Sequence, residues 1–141
     1  MALALLNPAT TTARTVGLPG LMIGLGTRSG VPGVGVVLAT GAHTSPLGFV
    51  ATSVRVDSDG LGYQRSARGV GSLLAGTHTV TVTVTRRSGL GDLVTIYLDG
   101  VRVLAEAEPA MTPAVRLAFT AGTGKLNDVH IVRTVAIAAS G

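Results

Sequence analysis

The alternation of apolar and polar side chains is sharpest over residues 77–85. Val80, Val82 and Val84 take one parity; Thr77, Thr79, Thr81, Thr83 and Thr85 take the other. Strand side chains point alternately to opposite faces, so residues 73–85 read as a half-buried antiparallel strand, valine inward and threonine outward. Residues 86–92 follow as a turn. Residues 93–98, Asp99-Gly100 and 101–104 then form the clearest hairpin, because Asp-Gly suits the positive φ that both central positions of a type I′ turn require. Pro109 ends that second strand, since proline has no amide to give to a ladder.

The same pattern continues over residues 115–137. Val115, Leu117 and Phe119 alternate with Arg116, Ala118 and Thr120. A polar loop bearing Gly122 and Gly124 follows, and Val129, Ile131, Val135 and Ile137 form a second run. This predicts a further hairpin with a longer loop. Earlier in the chain, short strands are expected at 21–25, 34–38 and 49–56, with loops at 40–47 and 61–71. Residues 1–16 read as an extended N-terminal segment in which Leu3, Leu5 and Leu6 pack on the domain or on a neighbouring chain. Residues 17–141 then form one domain. Gly17-Leu18-Pro19-Gly20 and Gly30-Val31-Pro32-Gly33 look like collagen triplets but do not continue in period three.

Composition narrows the class. Of 141 residues, 46% are apolar, only 3% aromatic and 13% charged, and 20 are glycine. That profile suits many short strands packed with Val, Leu, Ala and Ile, and argues against disorder, which needs high charge and few apolar residues. The expectation is an all-β fold, an antiparallel two-sheet β-sandwich. Cysteine is absent, which excludes a disulfide framework and thiolate chemistry. The net charge of +4 is mild. Arg65 with Arg68 and the pair Arg86-Arg87 read as solvated edge and turn residues, not as a nucleic-acid surface. No run reaches the roughly 18 apolar residues of a membrane span. Residues 1–14 lack the basic stretch and the apolar length of a secretory signal.

Candidate chemistry is sparse. Gly24-Leu25-Gly26-Thr27-Arg28-Ser29-Gly30 lacks the Gly-Lys-Ser/Thr of a phosphate loop, and no helix follows it. His43 reads as a loop residue without a second ligand nearby. Asp57-Ser58-Asp59-Gly60 resembles part of a calcium loop but has no closing carboxylate. Glu106 and Glu108 read as a solvent-facing strand end, not as an acid/base pair. Tyr63 is one of four aromatics, and an amphipathic ring on a loop can stack on a sugar face. The three histidines, His43, His78 and His130, lie far apart in sequence, and no Ser/His/Asp set is evident. The expectation is therefore a non-enzyme without cofactor.

The run 117–130, LAFTAGTGKLNDVH, resembles the end of the L-type (legume lectin) domain, with its concanavalin-A-like jelly-roll sandwich. Residues 79–84 and 94–100 resemble the two strands before it, and the likeness spans about 73–138. The resemblance implies a compact or truncated version of that fold. It also implies glycan binding through the loop 122–128, with Gly124, Lys125, Leu126, Asn127 and Asp128 at the sugar and Tyr63 stacking nearby. Asn127 and Asp128 offer the amide and carboxylate groups that suit vicinal hydroxyls. His130 matches the family's structural histidine beside that loop. The family's metal site begins on a Glu-apolar-Asp strand, but here the matching residues are Arg55-Val56-Asp57. A cation at Arg55 opposes a divalent ion, so binding without metal is expected. An extracellular or virion-surface setting also follows from the resemblance. The alternative is an assembly β-sandwich of a viral particle or cell-surface complex that binds protein, as a homo-oligomer or on a particle partner, through residues 1–16.

Overall fold

In the computed structural model, the described residues are 1–9, 11, 33–40, 43–45, 48–50, 52–58, 63–121 and 129–138. They form ten strands and no helix: β1 Ala2–Leu6, β2 Gly33–Ala39, β3 His43–Ser45, β4 Gly48–Val50, β5 Ser53–Ser58, β6 Tyr63–Gly69, β7 Val80–Arg87, β8 Gly91–Leu98, β9 Val101–Glu108 and β10 Arg116–Thr120. A five-stranded sheet has the order β10-β1-β2-β5-β6, and a three-stranded sheet runs β7-β8-β9. Every pairing is antiparallel, and β3 with β4 forms a small separate hairpin. The expected all-β, two-sheet architecture is present.

The register places the core. Val36 faces Val56 and Leu38 faces Val54 across β2 and β5, which sets these side chains on one face of the larger sheet. Val34, Val36, Val54 and Val56 pack there against Val94 and Ile96 of β8, the central strand of the smaller sheet. Val54, Val56, Val94 and Ile96 are wholly buried. The opposite face of the larger sheet is buried too. Ala2, Ala4, Leu6 and Val37 cluster there, with Ala118 of β10 packed against them. A strand buried on both faces reads as an unbroken apolar run, which explains why ALALL and VGVVL show no alternation. Residues 2–6 are thus the second strand of a sheet, with β10 on one side and β2 on the other, and Leu5 and Leu6 are buried within the chain.

Several expectations are corrected. Residues 63–69, read as a loop for want of an apolar period, form the outer strand β6, whose exposed Arg68 suits a sheet edge. The single strand expected over 49–56 is interrupted at Thr52, with β4 before it and β5 after. The strand expected from residue 73 starts only at Val80. The turn expected over 86–92 is shorter, because β7 runs to Arg87 and β8 starts at Gly91. The run 129–138 forms no strand. The candidate strand 21–25 lies outside the described residues.

Candidate functional site

Two polar constellations stand at opposite ends of the three-stranded sheet. The first closes the β8–β9 hairpin. Asp99 and Gly100 have φ of 51° and 80°, the positive pair that a type I′ turn demands. The Asp99 carboxylate reaches back to the chain entering β7. Its Oδ1 accepts the Thr79 amide at 2.8 Å, its Oδ2 lies 2.8 Å from His78 Nδ1, and the Asp99 amide donates to the Thr79 carbonyl at 2.8 Å. The hydrogen bond from His78, and then that from the Thr79 amide, hold the Asp99 carboxyl below the ordinary carboxylate range. A carboxylate-oriented imidazole is half of a general-base couple. Here, however, His78 Nε2, the atom that would meet a substrate, is buried and makes no hydrogen bond. The pair locks a turn.

The second constellation lies on the core-facing side of the same sheet. Ladder pairing puts Arg86 opposite Asp92, and Asp92 opposite Glu108, so the three side chains form a row across β7, β8 and β9. The neighbouring rows towards the hairpin are Val84–Val94–Glu106 and Val82–Ile96–Leu104. The inner face of the sheet therefore passes from aliphatic to charged within two rows. Asp92 and Glu108 are buried, at 1% and 2% exposure. This corrects the reading of Glu108 as solvent-facing: its register partner, not its place at the strand end, decides its environment. Asp92 Oδ2 accepts the Met111 amide at 2.8 Å, Arg86 Nη2 donates to the Met111 carbonyl at 2.8 Å, and Arg86 Nε stands 3.5 Å from Asp92 Oδ1. Both polar groups of Met111's backbone are thus met by side chains. That fixes the chain's reversal after Pro109 and lays Met111 against the valine core.

An open hollow of about 690 Å³ adjoins this row, lined among others by Arg86, Arg87, Leu90, Glu108, Pro109 and Ala110. Gly91 borders it with φ of 76°, and a Cβ there would stand 2.2 Å from the Glu108 carbonyl oxygen. Among the described residues, no three His, Asp or Glu side chains gather as a metal site. What the row does chemically is brace a strand end.

Gly124, Lys125, Leu126, Asn127 and Asp128 lie outside the described residues, and Tyr63 opens β6. His43 lies in β3 and Asp57 in β5. Arg55, expected to oppose a divalent ion, is a buried residue of β5 at 4% exposure, facing Val37 of β2. Compared with protein families, characterised proteins and solved structures, the chain gives no match.

Beyond the last strand comes the feature that sequence reasoning misplaced. Residues 131–138, IVRTVAIA, are exposed along their whole length and belong to no strand. Ile131 is 62% exposed, Val135 50% and Ile137 73%. The apolar period over 129–137 was visible, and it promised burial that the chain itself does not supply.

Proposed function

We propose that this chain is a non-catalytic β-sandwich module that works by docking onto protein, as a structural unit of a larger assembly on a particle or cell surface. One observation carries the reading. Eight consecutive residues, 131–138, are exposed, and six of them are apolar: Ile131, Val132, Val135, Ala136, Ile137 and Ala138. A contiguous apolar stretch in water costs free energy unless a partner covers it, and such stretches mark interaction surfaces. If the arm docks on a partner, it contributes little to the sandwich's own stability. The double variant Ile131→Ser/Ile137→Ser, compared with the parent at dilutions where light scattering shows single copies, should melt within about 0.5 kcal/mol of it. A loss of several kcal/mol would mean that the arm belongs to the chain's own core, and the docking reading would fail.

Glycan binding is the second reading. It rests on the resemblance over 73–138. The loop 122–128 would meet the sugar, without a metal. A glycan array, run with and without chelator beside Gly124→Trp, tests it. Binding that the variant abolishes and chelator spares is the expected result. An array with no signal from folded protein would remove this reading.

A further inference from the structure

We infer that the partner of the apolar arm 131–138 is a second copy of this chain, and that copies exchange arms by adding each arm as a strand to the open edge of β10 in the other. The inference rests on the docking reading above and names its partner. Donor and acceptor are both present on one molecule. β10 is the outer strand of the five-stranded sheet, with β1 on one side and no described strand on the other. It exposes Phe119 at 45%, and Val115 just before it at 44%. An outer strand with an uncovered apolar side chain is a template for another strand.

The other outer strands are poorer templates. β6 carries Arg65 and Arg68, β7 presents alternating threonines, and β9, though it exposes Val101, follows it at once with the exposed Arg102. The arm has the opposite character. Ile131, Val135 and Ile137 share one parity, broken only by Arg133, as a strand with one apolar face requires. Its eight residues extend to about 27 Å, enough to run the length of the β10 edge.

Sequence periodicity pairs 115–120 with 129–137 as a hairpin, whereas the chain leaves 131–138 out of its own sheets. An element whose natural partner strand stands open in an identical molecule is suited to reciprocal exchange, which closes on itself and leaves no further edge for a third copy. Each copy then gives one arm and receives one. A stable interface needs about 800 Å² per partner, which sets the area that one arm given and one received must together bury.

Light scattering after size exclusion of the full chain is the first test. A mass of twice 14.1 kDa is expected, falling to one copy in Val132→Pro/Val135→Pro, because proline cannot donate to the new ladder. A single-copy mass for the parent, or an unchanged double mass for the proline variant, would overturn the inference. The natural chain has no cysteine, so the pairing can be read directly. Phe119→Cys is combined with Ile131→Cys, Arg133→Cys or Val135→Cys in turn and oxidised. Disulfides between copies support exchange; a disulfide closing only within one copy overturns it. The two readings fail separately. If the Ser variant keeps its stability and the parent is a single copy, docking stands with another partner and self-exchange falls.

Discussion

Three glycines with positive φ allow conformational strain to be separated from steric exclusion. Gly89, Gly91 and Gly100 have φ of 71°, 76° and 80°, so alanine at each must adopt nearly the same left-handed backbone. That costs about 1–2 kcal/mol. A Cβ at Gly89 or Gly100 would meet nothing within 4 Å, whereas at Gly91 it would stand 2.2 Å from the Glu108 carbonyl oxygen and 3.3 Å from its carbon. The obstacle is backbone, held by the β8–β9 ladder where Asp92 faces Glu108, and it cannot swing aside as a side chain would. Relief requires about an ångström of strand displacement in a buried row, which places Gly91→Ala at about 4 kcal/mol or more. For a chain of this length, 1 kcal/mol shifts the melting midpoint by about 3–4 °C. Gly89→Ala and Gly100→Ala should therefore melt about 3–8 °C below the parent, and Gly91→Ala more than about 12 °C below. Calorimetry or circular dichroism melts decide it. If Gly91→Ala drops no further than Gly100→Ala, the close approach of β8 to the end of β9 is wrong.

Further outcomes follow from the same sheet. Asp92→Ala should cost about 1–3 kcal/mol by leaving the Met111 amide without its acceptor, while Arg86→Ala, whose side chain is 59% exposed, should cost under about 1 kcal/mol; denaturant titration of both gives the contrast. Ile96→Ala, at the centre of the core, should lose about 2–5 kcal/mol, and Leu90→Ala, at 70% exposure, should stay within about 0.5 kcal/mol of the parent. Asp99→Asn keeps a residue that tolerates positive φ but removes the charge that His78 meets. Because the folded-state pKa of Asp99 lies below its unfolded value, its charged form contributes stability above the ordinary carboxylate range and loses it as pH falls through the folded pKa. Melts over an acid series should show the gap between parent and Asp99→Asn closing towards low pH; a gap that widens there would refute the pairing.

What could be read in the residues depended on how local the cause was. The Asp99-Gly100 turn and the Val/Thr alternation of β7 are dictated by neighbours in the chain; the turn stands where the pattern put it, and the alternation is kept in a strand that begins only at Val80 and leaves Val84 exposed. The Arg86–Asp92–Glu108 row was not legible. Leu98 faces Val101 and Tyr97 faces Arg102. At that register Asp92 would have met Ala107, but a bulge between Ile96 and Tyr97 shifts the pairing by one residue and brings Glu108 opposite. No residue at the bulge announces it. Strand β6 was missed for a different reason: an outer strand is selected to discourage pairing, so its sequence hides the period that marks a central one.

That same contrast bears on the arm. At the outer strands of the two larger sheets, Arg68 of β6 and the threonines of β7 are exposed, and β9 exposes Val101 and Arg102 at its start. Apolar exposure is most continuous at β10 and the stretch after it, with Phe119, Ile131, Val135 and Ile137 all at least 45% exposed. Uncovered, residues 131–138 and the β10 edge would each invite indiscriminate strand addition, whereas mutual coverage removes both hazards at once and needs no second gene product. The cost of exposing the arm and the benefit of exchanging it are thus the same apolar contacts, counted before and after association. A solubility measurement connects them. If exchange covers the arm, the Ile131→Ser/Ile137→Ser variant should become a single copy without becoming more soluble than the associated parent. If the parent is a single copy with a bare arm, the same variant should be markedly more soluble.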